Sequence, residues 1–133
     1  MNENRTSSPS RPTWLAGVLS LALGIGGCGP SATPSDDADG RKALQTALDA
    51  WKEGETPDAL ANRTPSIHVS DGDWKSGLRL QSYQPEGEGK LIGSDLNYTV
   101  VLELKSPKGK ASKKTAVYAV TTHPQLLVLR QDD

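Results

Sequence analysis

Apolar residues in this 133-residue chain change their spacing once, near residue 66, and that change fixes what the polypeptide can build. Before it, Leu44, Ala47, Leu48 and Trp51 recur at i, i+3, i+4 and i+7. Arg41, Lys42, Gln45, Asp49 and Lys52 fall mostly on the other side, the pattern of an amphipathic helix. The spacing predicts a helix over Ala38–Glu53, ended by Gly54 at the position where left-handed geometry favours glycine. Thr56-Pro57-Asp58 then reads as N-cap, first helical position and acidic first turn. It opens a short second helix of about Pro57–Arg63, which carries Leu60 and is closed by Pro65.

After residue 66 the period is two. Ile67 and Val69 predict a short strand, and Leu78 and Leu80 begin a longer one that runs through Gln84. Glu86-Gly87-Glu88-Gly89 reads as a turn. Leu96, Tyr98, Val100, Leu102 and Leu104 then alternate with Asn97, Thr99, Val101, Glu103 and Lys105, the cleanest strand in the chain. Ser106–Lys110 is a hairpin turn, Thr115–Thr122 a strand ended by His123-Pro124, and Leu126–Arg130 the last strand. Short connections make neighbours antiparallel. One sheet face has to be covered, and the first helix has the stripe to cover it. The expected fold is α+β: an N-terminal helix plus a short second helix, packed on a curved antiparallel meander of four to five strands. Phe is absent and aromatics are 5% of the chain, so Trp and Tyr supply the large core surfaces.

The first 27 residues do not fit this domain. Met1–Thr13 is polar and carries Arg5 and Arg11; Trp14–Ile25 has no charge; Gly26, Gly27 and Cys28 follow. A charged segment, an apolar run of 7–15 residues and small residues describe a secretory signal peptide. The run is shorter than the roughly 20 apolar residues a membrane span needs. There is one cysteine, so no internal disulfide and no cysteine-based zinc site can form. Ile25-Gly26-Gly27-Cys28 resembles the lipobox of bacterial lipoproteins. The resemblance implies diacylglycerol on the Cys28 thiol, cleavage before Cys28 and acylation of the new amine. Two or three acyl chains anchor stably where one is marginal. Gly29, where Asp often signals inner-membrane retention in that family, leans toward the periplasmic face of the outer membrane. The expected organisation is a signal peptide over 1–27, lipidated Cys28 with a flexible tether to residue 40, and one domain over 41–133. Gly29–Gly40 is rich in Gly, Pro, Ser, Ala and Asp and is expected to be disordered. Asp36, Asp37 and Asp39 read as helix-starting acids, with a calcium cluster as the alternative.

Charge narrows the partners. Taking Arg5, Arg11 and Glu3 from 15 basic and 16 acidic residues leaves 13 and 15, a formal −2. A nucleic-acid binder usually carries a basic excess, so none is expected as partner. The order of elements from residue 40 to 131, with Trp51 near the helix end and the Tyr118-Ala119-Val120 strand, resembles the cystatin-like and NTF2-like class, including small domains of bacterial lipoproteins. That class hosts enzymes and binding modules alike, so function must come from a site.

Four constellations could supply one. His68, Asp71 and Asp73 could bind a divalent metal or act as acid and base, although Asp71-Gly72-Asp73 is also an ordinary turn sequence and His68 alternates away from Ile67 and Val69. Trp51 and Tyr98 could line a helix–sheet cleft, joined by His68 or His123; a lone core tyrosine otherwise packs its ring and bonds its hydroxyl. Lys105, Lys108, Lys110, Lys113 and Lys114 crowd one hairpin and could meet anionic headgroups or simply discourage strand aggregation. Trp74 reads as a packing residue or an exposed contact. No nucleophile triad, phosphate loop, dinucleotide fingerprint or zinc-protease motif is present. The expectation is a membrane-anchored, non-enzymatic binding or assembly module of the cell envelope, with no cofactor beyond the lipid and an envelope protein as partner. A small-ligand or metal-binding domain is the alternative.

Overall fold

The computed structural model describes residues 33–132; the expected signal peptide, with Trp14, and Cys28 with the first part of the expected tether lie outside them. Asp36 accepts a hydrogen bond from the Asp39 amide and caps helix α1 (Asp37–Lys52), with Asp37 and Asp39 in its first turn. The acids thus sit where the helix N-terminus favours them. The helix begins inside the segment expected to be tether. Gly40 allows this: a Cβ there would lie 2.9 Å from Leu96 Cδ1 and 3.2 Å from the Tyr98 hydroxyl. Even Ser35 is fixed, its amide donating to the Ser94 carbonyl at 2.9 Å and its hydroxyl accepting from the Thr122 amide at 3.0 Å. The ordered domain therefore starts before residue 41.

Thr56 caps the short α2 (Pro57–Ala61), and β1 (Ile67–Ser70) follows. Where Asp71–Asp73 reads as a turn, the chain makes a further helical turn, α3 (Gly72–Lys75), capped by Asp71. The remaining strands are β2 (Arg79–Ile92), β3 (Asp95–Lys105), β4 (Ala111–Thr121) and β5 (Leu126–Arg130). The fold is α+β, with α1 packed on a five-stranded sheet of order β1-β5-β4-β3-β2. β2 to β5 form the expected antiparallel meander. β1 adds itself parallel to β5, Ile67 opposite Leu126 and Val69 opposite Val128, so the sheet is mixed.

Glu86-Gly87-Glu88-Gly89 is not a turn; β2 continues through it. Glu86 opposes Thr99 and Lys90 opposes Asn97, so four steps along β2 span two along β3 and the strand bulges. Gly87 sits at φ +71 within the bulge, and a Cβ on Gly89 would lie 2.6 Å from the Tyr98 ring. These glycines lay the edge strand over a tyrosine rather than reversing the chain. The bulge, Pro85 and the charges of Glu86, Glu88 and Lys90 also blunt this edge against pairing with another chain.

One cluster of buried side chains holds the layers together. Leu44, Leu48 and Trp51 of α1, Leu60 of α2 and Trp74 of α3 meet Leu96 through Leu104 of β3 and Tyr118, Val120 and Val128. All three helices thus lie on one sheet face. Among the described residues no helix is long and apolar enough to cross a membrane.

Candidate functional site

The face under the helices holds an ion cluster that sequence spacing only half reveals. Arg130 alternates in phase with Val128, which turns it inward, and its side chain is 1% exposed. Asp71 is equally buried. Its Oδ1 accepts from the Asp73 and Trp74 amides at 2.9 and 3.2 Å, and its Oδ2 from the Tyr118 hydroxyl at 2.5 Å. The Arg130 Nη1 lies 3.3 Å from both Asp71 oxygens. Its Nη2 reaches Asp73 at 3.2 Å, and its Nε reaches Asp132 at 2.5 Å. Lys114 adds a second cation to Asp73 at 2.8 Å. A buried carboxylate is tolerated only when paired and hydrogen-bonded, and Asp71 is both.

These bonds decide the fate of the sequence candidates. His68 lies on the opposite face of the sheet from Asp71, exposed and opposite Leu127, with its Nε2 3.4 Å from the Ser66 hydroxyl. His68, Asp71 and Asp73 therefore do not converge; the two carboxylates turn to Arg130 instead. Among the described residues no three His, Cys, Asp or Glu side chains are grouped to hold a metal. Trp51 and Tyr98 do not share a cleft either. The Trp51 indole stacks on Trp74 with centroids 5.3 Å apart and planes 7° from parallel. Its N–H donates to the Leu78 carbonyl at 2.8 Å, and that of Trp74 to the Glu55 carbonyl at 2.9 Å. The pair floors an open groove of about 560 Å³ rimmed by Pro57, Asp58, Val69, Lys75 and Arg79. Tyr98 sits at the other end of α1, donating to Asp37 Oδ1 at 2.8 Å. It borders a small cavity of about 90 Å³ with Arg41, Leu44 and Tyr83. His123 is exposed in the β4–β5 connection.

The lysine hairpin is less uniform than its sequence. Lys114 joins the ion cluster, and Lys113 stands opposite Glu103 in the strand register, whose carboxylate accepts from the Ser82 hydroxyl at 2.7 Å. Lys105, Lys108 and Lys110 remain around the turn.

All three tyrosines hold their phenols protonated. Burial, reinforced by the Asp49 carboxylate that accepts its hydrogen bond at 2.8 Å, pushes Tyr83 up to about 12. Burial and Asp37 push Tyr98 higher, and burial and Asp71 push Tyr118 higher still. A folded value above the unfolded one gives stability that is complete below pH 10 and is lost as pH rises through the folded value. An alkaline titration is therefore expected to show no phenolate absorbance near pH 10, with the first rise at about 12 and the rest accompanying loss of circular dichroism. Titration of a tyrosine near pH 10 in the folded protein would contradict these contacts.

Among the described residues no helix covers the other face of the sheet. Alternation places Val101, Val117, Ala119, Leu127 and Leu129 on it, with His68 at the β1 edge. None of the five aliphatic residues belongs to the core cluster under the helices. The four larger ones are half-buried by one another and their neighbours. Set against protein-family models, curated proteins and solved structures, the chain matches none of them, so its own geometry must carry the functional reading.

Proposed function

We propose that the chain is a lipid-anchored lipoprotein of the bacterial envelope, acting as a non-enzymatic binding module that docks a protein partner on the open face of its sheet. The observation that carries the docking reading is the contrast between the two faces. Under the helices the layers close on Leu44, Leu48, Val100, Leu102 and Tyr118, all 2% exposed or less. The polar groups there, the Tyr98 and Tyr118 hydroxyls and Asp71, are held by one another, Asp37 and Arg130. The centre of this layer is filled, and the spaces at its margins, the groove of about 560 Å³ over Trp51 and Trp74 and a cleft of about 490 Å³ beside Ala43, Ile67 and Leu126, lie outside it. The opposite face presents Val101, Val117, Leu127 and Leu129 in neighbouring register, an aliphatic centre bordered by the polar His68, Asn97 and Glu103. An apolar centre with a polar rim is the anatomy of a protein interface. The anchoring part rests on the lipobox Ile25-Gly26-Gly27-Cys28 and its leader.

The test is a photo-crosslinking residue at Leu127 or Lys108 of the full-length protein in cells, with adducts identified by mass spectrometry. A recurrent envelope protein captured from Leu127, absent from Lys108 and lost with Cys28→Ser, is the expected result. A membrane-retained protein that gives no adduct from Leu127 would sink the docking reading.

A further inference from the structure

Two large apolar side chains stand out from the described surface: Leu91 is 52% exposed and Ile92 63%. They are consecutive, at the tip of the β2–β3 hairpin, just before the two-residue Gly93-Ser94 turn. An ordinary soluble hairpin tip is polar, and neither residue packs against the core cluster. The position of the tip gives the pair a meaning. Ser35, near the start of the described chain, donates its amide to the Ser94 carbonyl of that same turn, and the next amide, of Asp36, donates to the Thr122 hydroxyl. The polypeptide arriving from Cys28 is thus clipped to the hairpin that carries Leu91 and Ile92. Seven steps separate Cys28 from Ser35, a reach of at most about 25 Å. The lysine turn lies at the opposite end of β3, about 33 Å away at the rise of a strand.

We infer that the β2–β3 tip is a second, non-covalent membrane contact: Leu91 and Ile92 enter the interfacial region of the bilayer next to the lipid on Cys28. The inference rests on the anchored reading above. Two aliphatic side chains bind a bilayer weakly on their own. The covalent lipid supplies a high effective concentration, so a weak second contact becomes occupied. Charge at this end supplies no headgroup attraction, since Asp36, Asp37, Asp39 and Asp95 outnumber Lys90 and Arg41; the contact is an apolar one that works against repulsion from anionic lipid. With the tip inserted, the domain stands with its lysine turn toward the aqueous phase and its open sheet face along the membrane normal, clear for a partner.

The test uses the full acylated protein reconstituted in vesicles of phosphatidylethanolamine and phosphatidylglycerol. A nitroxide is placed at Lys90→Cys beside the tip, or at Lys108→Cys in the lysine turn; both sites are exposed, and acylation occupies the natural cysteine. Mass spectrometry of the same preparation reports the acyl chains on Cys28. The expected result is a nitroxide at residue 90 more accessible to oxygen than to an aqueous nickel chelate, with the reverse at 108. Adding Leu91→Asp and Ile92→Asp should return residue 90 to the aqueous pattern. An acylated protein whose residue 90 stays aqueous overturns the tip contact and leaves the anchor intact. Lipid exposure at 108 with 90 in water overturns it in favour of the lysine turn. A protein without acyl chains on Cys28 overturns the anchor and the tip contact together.

Discussion

Arg130→Met is expected to cost the domain about 3–5 kcal/mol, the range for removing one partner of a buried ion pair. The substitution preserves much of the apolar volume and removes the charge. Asp71, 1% exposed, then keeps only the Tyr118 hydroxyl and two backbone amides, while Asp73 and Asp132 lose a shared cation. Against a typical total stability of about 5–15 kcal/mol, that loss brings the fold close to its threshold. Urea denaturation followed by circular dichroism measures it. Adding Asp71→Asn should recover a good part of the loss, because a neutral amide oxygen can still accept from the Tyr118 hydroxyl and the amides of Asp73 and Trp74. Arg130→Lys should recover little: a single ammonium cannot fork to Asp71, Asp73 and Asp132 as a guanidinium does. A cost for Arg130→Met below about 1 kcal/mol, as for an exposed pair, would show that the cluster is solvated and not structural.

The cluster also carries a pH dependence. Burial alone would raise the Asp132 carboxyl, but the Arg130 guanidinium outweighs it and holds the group below the ordinary carboxylate range. A depressed folded value means stability that is present above the unfolded value of 3.8 and is lost as pH falls through the folded value. The cluster therefore weakens from the acidic side.

The second large effect is at Trp74. Trp74→Ala is expected to cost about 3–5 kcal/mol, as for other buried tryptophans. The indole contributes in two ways. Its face stacks on Trp51, and such pairs add about 0.5–1.5 kcal/mol beyond area. Its N–H holds the Glu55 carbonyl in the link between α1 and α2. Trp51 becomes the floor of a widened groove and its emission should shift to the red. Trp74→Phe keeps a ring on Trp51 and gives up the hydrogen bond, so it should fall between the two. Thermal melts and fluorescence of the three proteins measure the order. If Trp74→Phe melts with the alanine variant, the hydrogen bond to Glu55 dominates; if it melts with the parent, the packing does. An alanine variant as stable as the parent would contradict the role assigned to the pair.

Much of this fold could be read along the chain, because its elements are fixed by neighbours in sequence. The i, i+3, i+4, i+7 stripe from Leu44 to Trp51, the Thr56-Pro57-Asp58 start and the alternation from Leu96 to Leu104 each describe one face of one element, and each came out as written. Asp36, Asp37 and Asp39 start α1 for a local reason, the helix N-terminus itself. His68 pointing away from Ile67 and Val69 is likewise a matter of period two. Asp71 was half legible: an acid before Gly72-Asp73-Trp74-Lys75 is an N-cap signal as well as a turn signal, and the cap is what the structure uses.

What spacing along the chain left undecided depends on contacts between residues far apart in it. Glu86–Gly89 reads as a turn until Tyr98, on the next strand, is seen beneath Gly89; the glycines then serve close approach rather than chain reversal. Residues before 41 read as tether until Leu96 and Tyr98 meet Gly40 and Thr122 meets Ser35 and Asp36. The parallel pairing of β1 with β5 brings together residues nearly 60 positions apart, and no local period encodes a partner. The same holds for Arg130, whose inward phase is readable but whose three carboxylates are not. Local periodicity thus determined most of the elements. The joining of Arg130 to Asp71, the stacking of Trp51 on Trp74 and the placing of Leu91 and Ile92 beside the chain's point of arrival were decided by tertiary packing, because burial and hydrogen bonding are satisfied in space and not in sequence.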